Sequence, residues 1–248
     1  MKKEISFKNN KGQTLMGYLY VPEEKYKSKY PAVIVCHGLG GNKDAQNKVE
    51  LSEALYKQGF VALRFDYSGH GKSEGNYEDT TVTQIIKDIQ SAIEALYSLE
   101  KVDRKRLGLV GHSIGAVAAI IEAAKDSRIK SAAAIGAFCE PMKPLKACIK
   151  NKKECEAWAG KGIIEVEGGQ LKYDFLKDFK KYNLLNLAKK IKIPFLLVHG
   201  ANDHIVAQKQ AQTIAKTAKL PIKIVEETHI FDKKAIEQAV EWFKKTLR

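Results

Sequence analysis

The 248-residue sequence contains no C-x-x-C pair, and none of its four cysteines has a histidine at zinc-finger spacing, which excludes the common thiolate metal sites. Neither G-x-x-x-x-G-K-[S/T] nor G-x-G-x-x-G occurs, so its glycine-rich loops are not the usual phosphate cradles. The N-terminus, MKKEISFKNN, is basic but leads into no apolar signal core, and the expected location is the cytoplasm. No long uninterrupted hydrophobic run is present either. Leu107 to Ala124 comes nearest, but His112, Ser113 and Glu122 interrupt it, so it reads as a buried strand followed by a helix and no membrane span is expected. Repeats and low-complexity linkers are also missing. What remains, 44% hydrophobic and 29% charged residues, is the composition of an ordinary globular protein.

The net charge of +13 would suit an anionic partner if the lysines clustered. They are instead scattered as pairs such as Lys2–Lys3, Lys180–Lys181 and Lys244–Lys245, the pattern of solvated helix ends and surfaces, and no nucleic-acid partner is expected. Cys36 lies in an apolar run and reads as a small core residue. Cys139, Cys148 and Cys155 are close enough in sequence to leave a disulfide open, although reduced thiols are the simpler reading.

Short apolar runs at 32–38, 60–66, 106–112, 131–137, 194–200 and 222–227 alternate with helical patterns near 44–58, 79–99, 114–125, 205–218 and 232–247. Strands buried on both faces and joined through helices imply an α/β fold with a parallel sheet. Two N-terminal runs separated by Asn10-Lys11-Gly12 read as a hairpin on one edge. The rhythm breaks between 138 and 190, a stretch read as a cap inserted into a single domain spanning 1–248, with Gly168-Gly169 turning a small hairpin.

In an open parallel sheet the reactive groups collect where strands end. The run before Gly111-His112-Ser113-Ile114-Gly115 is strand-like and the run after it is an alanine-rich helix, which is the setting of a G-x-S-x-G elbow. A serine hydroxyl needs a base to take its proton and a carboxylate to hold that base in the useful tautomer. Asp203 follows the next-to-last strand and His229 the last, giving the order Ser, Asp, His. His204 is the rival base and Glu140 the rival acid, but adjacency to Asp203 disfavours the first and local context the second. His37, His112 and His199 read as structural neighbours of the site, while His70 and Asp66 read as loop anchors. For the oxyanion, the backbone N–H groups of Ile114, after the serine, and Leu39, in the glycine-rich loop after the first parallel strand, are the expected donors.

With these residues in place, the motifs HGLGGNK, FDYSGHGKSEG, GHSIGA, HGANDHIV and THIF resemble the α/β-hydrolase superfamily, in particular cinnamoyl- or feruloyl-esterase-type enzymes and the hydrolase domains of prolyl-oligopeptidase-like proteins. The resemblance implies a mostly parallel sheet with helices on both faces and a small cap. It gives Ser113, Asp203 and His229 the triad roles and Leu39 and Ile114 the oxyanion roles. The expected function is a serine carboxylesterase acting on small to medium carboxylic esters through an acyl-enzyme, with no metal or organic cofactor and a small-molecule ester as its partner. A homo-oligomer is left open. The same triad would equally serve a peptidase, amidase or thioesterase, and a catalytically silent binding protein is the alternative from another class.

Overall fold

In a strand covered on both sides, successive side chains enter opposite cores, so the strand reads as an unbroken apolar run. Strand β3 (Tyr30–Cys36) does this in the computed structural model, which describes residues 1–23, 29–149, 158, 162–166 and 168–247. Ala32, Ile34 and Cys36 join one core, and Val33 and Val35 the other. The same division runs through β4 (Val61–Phe65), β5 (Val102–His112), β6 (Ile129–Ile135) and β9 (Phe195–Gly200).

These strands form the centre of an eight-stranded sheet of order β1-β2-β4-β3-β5-β6-β9-β10, where β1 is Lys2–Lys8, β2 is Thr14–Tyr20 and β10 is Ile222–Val225. Pairing is parallel from β4 through β10 and antiparallel at β1–β2 and β2–β4. The N-terminal hairpin therefore caps one edge. Its connection is held by Asn9, whose Oδ1 accepts the Lys11 and Gln13 N–H groups at 2.9 and 3.0 Å.

Helices α1 (Gln46–Lys57) and α8 (Lys233–Thr246) cover one face, with Leu51, Leu55, Ala239 and Phe243 in that core. Helices α2 (Val82–Tyr97) and α3 (Ile114–Lys125) cover the other through Ile85, Ile89, Ile93, Val117 and Ile121. The alternation therefore produces the α/β class expected from sequence. Boundaries differ at loop ends: the last strand stops at Val225 instead of Glu227, and helix α7 (Gln208–Ala218) starts three residues later than its pattern suggested, since 201–207 form a loop. Among the described residues no helix is long and apolar enough to cross a membrane.

Between β6 and β9 the chain runs through α4 (Met142–Cys148), a hairpin of β7 (Ile163–Val166) and β8 (Gly169–Lys172), α5 (Asp174–Phe179) and α6 (Leu184–Ala188). Leu145, Ile164, Leu171, Phe175 and Phe179 of this segment are buried in the α2/α3 core. Asp178 ties it to the start of α2, accepting the Thr83 N–H and hydroxyl at 2.7 Å each. The hairpin turns at Gly168, where a side chain would bring Cβ within 2.7 Å of Gly40 Cα and 3.2 Å of the Tyr77 hydroxyl oxygen. Cys36 and Cys139 are free thiols; the Cys148 side chain and Cys155 lie outside the described residues.

One core group is out of place energetically. Glu122, on α3, is buried with Gln90 Nε2 as a weak donor to its two oxygens at 3.3 and 3.4 Å, and burial pushes its carboxyl up to about 7. A raised carboxyl binds more protons in the folded chain than in the unfolded one between about 4.5 and 7, so its contribution to stability falls as pH rises through that window. Glu122→Gln is therefore expected to stabilise the fold at pH 8, by at most about 3 kcal/mol, and to change little at pH 4.5. Thermal melts at the two pH values check this; an equal shift at both would show that ionisation is not the cause.

Candidate active site

The turn between β5 and α3 is built by contact distances. A Cβ on Gly111 would overlap the Gly115 carbonyl, and one on Gly115 would lie 2.6 Å from His37 O and 3.0 Å from Cys36 O. Glycine at both positions lets α3 start directly against the ends of β5 and β3. Ser113 between them has φ 55° and ψ −116°, a conformation costing a serine on the order of 1–3 kcal/mol. Its N–H donates to Ile135 O at 2.9 Å, and its carbonyl accepts Ala116 and Val117 N–H, so the strained residue is held from both sides.

Asp203 and His229 come from the loops after β9 and β10, which are laced together: Ala201 N–H donates to Val225 O at 2.7 Å and Asn202 N–H to Glu227 O at 3.0 Å. His229 Nδ1–H donates to Asp203 Oδ2 at 2.8 Å, and Asp203 Oδ1 accepts the Ile205 and Val206 N–H groups at 2.9 and 2.7 Å. Burial alone would raise the Asp203 carboxyl. The hydrogen bond from His229, with the Val206 N–H, outweighs it and holds the carboxyl below its usual range. The Asp203 side chain is 1% exposed and that of His229 14%. The rivals stand elsewhere: His204 is exposed, and Glu140 is at the surface in an ion pair with Lys143.

His37, His112 and His199 brace the backbone around the site. His37 Nδ1–H donates to Gly38 O at 2.8 Å while its Nε2 accepts Tyr67 N–H at 3.2 Å, fixing the start of the glycine-rich loop. His112 Nε2–H donates to the His229 carbonyl at 2.8 Å, and His199 Nε2–H to Val206 O at 2.8 Å. Burial drives the protonation of all three down. Asp66 anchors two loops at once, accepting Lys43 N–H and Nζ at 2.6 and 3.0 Å and Lys72 N–H at 2.9 Å.

Ser113, His229, Leu39 and Ile114 line one cavity of about 360 Å³. The backbone N–H groups of Leu39 and Ile114 have no acceptor among the described residues. Phe138, Leu145, Phe175 and Ile205 supply apolar wall, and Ile230, 73% exposed, stands at the rim. Among the described residues no group of three or more His, Cys, Asp or Glu could hold a metal ion.

The sequence reading overlooked Lys48, the one Lys, Arg, Asp or Glu side chain of this lining among the described residues. A signal was present: Lys48 shares the i, i+3, i+4, i+7 face of α1 with Leu51, Ser52 and Leu55, an unusual place for a lysine.

A serine on a strained strand-to-helix turn, in a mostly parallel sheet whose later strand ends carry a carboxylate-held histidine, defines an α/β hydrolase. Residues 27–178 match the model of the serine aminopeptidase S33 family, and the chain belongs to this family of hydrolases. It is 26% identical over 221 residues to the mitochondrial palmitoyl-protein thioesterase ABHD10 of Homo sapiens, covering 86% of this chain and 69% of that protein. The Bos taurus counterpart is 30% identical over 192 residues, covering 74% and 60%. Among solved structures, Est1E from Butyrivibrio proteoclasticus with ferulic acid bound superposes with a TM-score of 0.83 at 24% identity over 98% of each chain. The Pyrococcus furiosus esterase Pf2001 does so at 0.75 and 23% identity, over 100% of this chain and 94% of that one. Both show the same fold.

Proposed function

We propose that this protein is a serine hydrolase of small to medium carboxylic esters, with Ser113 as nucleophile, His229 as general base and acid, and Asp203 as the residue that orients His229. The observation that carries the reading is the 2.8 Å bond from His229 Nδ1–H to buried Asp203, made in the cavity that Ser113 opens onto. With Nδ1 committed to that bond, Nε2 is the nitrogen left to take the serine proton. The attacked carbonyl becomes an oxyanion that accepts the free N–H groups of Leu39 and Ile114. His229 then protonates the leaving alcohol, and in the second half-reaction it deprotonates the water that releases the acid. The cavity volume is at the lower end for ligand sites and favours small to medium esters.

A second reading, a thioesterase with the same residues, is favoured by the likeness to proteins named palmitoyl-protein thioesterase. A panel of 4-nitrophenyl esters, acyl thioesters and aminoacyl amides matched in acyl group decides between them. Esters are expected to give the highest kcat/KM; a thioester preference selects the second reading. Absence of all turnover together with failure of a fluorophosphonate to label Ser113 overturns both.

A further inference from the structure

Lys48 is 3% exposed, yet its ammonium meets only neutral groups: Asn47 Oδ1 at 3.0 Å, His112 Nδ1 at 3.4 Å and the Phe231 ring centroid at 4.4 Å. Among the described residues it has no carboxylate partner. Lys43, also buried and five residues earlier, shows the usual arrangement, with Asp66 and Asp44 at 3.0 and 2.9 Å. An unpaired buried ammonium is costly, and burial pulls this one down to about 7. An apolar side chain of the same length would fill the space against Phe231 without that penalty.

The surroundings share one sign. Among the described residues no aspartate or glutamate lines the cavity that holds Lys48, Ser113 and His229. Helix α1 opens onto the same side with no side-chain cap and no acidic residue in its first turn. Among the described residues the Gln46 and Asn47 N–H groups have no acceptor, and they add the partial positive charge of a helix N-terminus. The other side of the cavity, built by Phe138, Leu145 and Phe175, is apolar. The cavity is thus two-ended, with a positive α1 side and an apolar side from the 138–190 segment.

We propose that Lys48 is a substrate-binding residue, pairing with a carboxylate or phosphate group that the substrate carries away from its reacting carbonyl. The inference rests on the esterase reading above and narrows it to anion-bearing esters. The ligand supplies the counter-charge that the described residues omit, and Asn47 and His112 keep the amine directed at it.

The test compares matched pairs on the wild-type protein: 3-acetoxybenzoate and 3-acetoxyphenyl phosphate against their neutral methyl esters, and monophenyl adipate against methyl phenyl adipate. The pairs place the anion on the leaving-group or the acyl side and separate carboxylate from phosphate. At least one anionic member is expected to exceed its neutral partner roughly tenfold in kcat/KM, and Lys48→Met is expected to erase that ratio. Equal or inverted ratios in every pair, or a ratio that survives in folded Lys48→Met, overturn the proposal. Should Lys48→Met not fold, the Lys48 ¹³Cε resonance of the wild type serves instead: it is expected to move with 3-hydroxybenzoate and not with its methyl ester, and no movement refutes the contact. Hydrolysis of neutral esters without anion preference would refute this inference alone. Absence of all ester hydrolysis would refute the esterase reading, and the resonance then still judges Lys48.

Discussion

Ser113→Ala is expected to lower kcat/KM on esters by roughly 10⁴- to 10⁶-fold, the range seen when the nucleophile of a serine triad is lost. Alanine keeps the Cβ, so the φ of 55° is neither relieved nor worsened and the Ser113 N–H still reaches Ile135 O. The melting temperature should therefore stay close to that of the wild type, which separates lost chemistry from lost fold. Because nucleophile and base act as a unit, adding His229→Ala to Ser113→Ala is expected to cost little more. A residual rate within tenfold of wild type in the single variant would remove Ser113 from the mechanism, and a further large loss in the double variant would show two independent contributions.

Asp203→Asn carries the second large effect, a loss of about 10⁴-fold in kcat. The carboxylate here is an acceptor on both oxygens: Oδ2 takes the His229 Nδ1–H, and Oδ1 takes two backbone N–H groups. An amide must turn its NH₂ toward one of these sets. Facing His229, it forces the proton onto Nε2 and removes the base; facing Ile205 and Val206, it opposes two donors and disrupts the 201–207 loop. Steady-state kinetics with a melt distinguish these outcomes, and near-wild-type kcat with intact stability would show that Asp203 does not orient the base.

Sheet and elbow were legible because their causes are local. Apolar runs such as 32–36 must be covered on both faces, and Gly111 and Gly115 leave room that any side chain would take. The meeting of Asp203 with His229 was legible only as order along the chain; what brings them together is the backbone lacing between the β9 and β10 loops, which has no sequence signature. The histidines illustrate the limit well. Their positions at strand ends place His37, His112 and His199 beside the site, but their bonds to the carbonyls of Gly38, His229 and Val206 follow from tertiary placement alone. Lys48 has a fainter signature: it stands on the apolar face of α1, and what sets it apart from the surface lysines is what packs over it in the fold.

The turn at Gly168 meets the loop that bears Leu39 where neither chain has a side chain, at Gly40. Such a contact transmits shape but no chemical identity. Described residues of the 138–190 segment away from this turn can thus enlarge or narrow the cavity while the Leu39 loop keeps its backbone path. Under the proposed mechanism, substrate range and catalytic power can then drift separately, provided the two glycines stay bare.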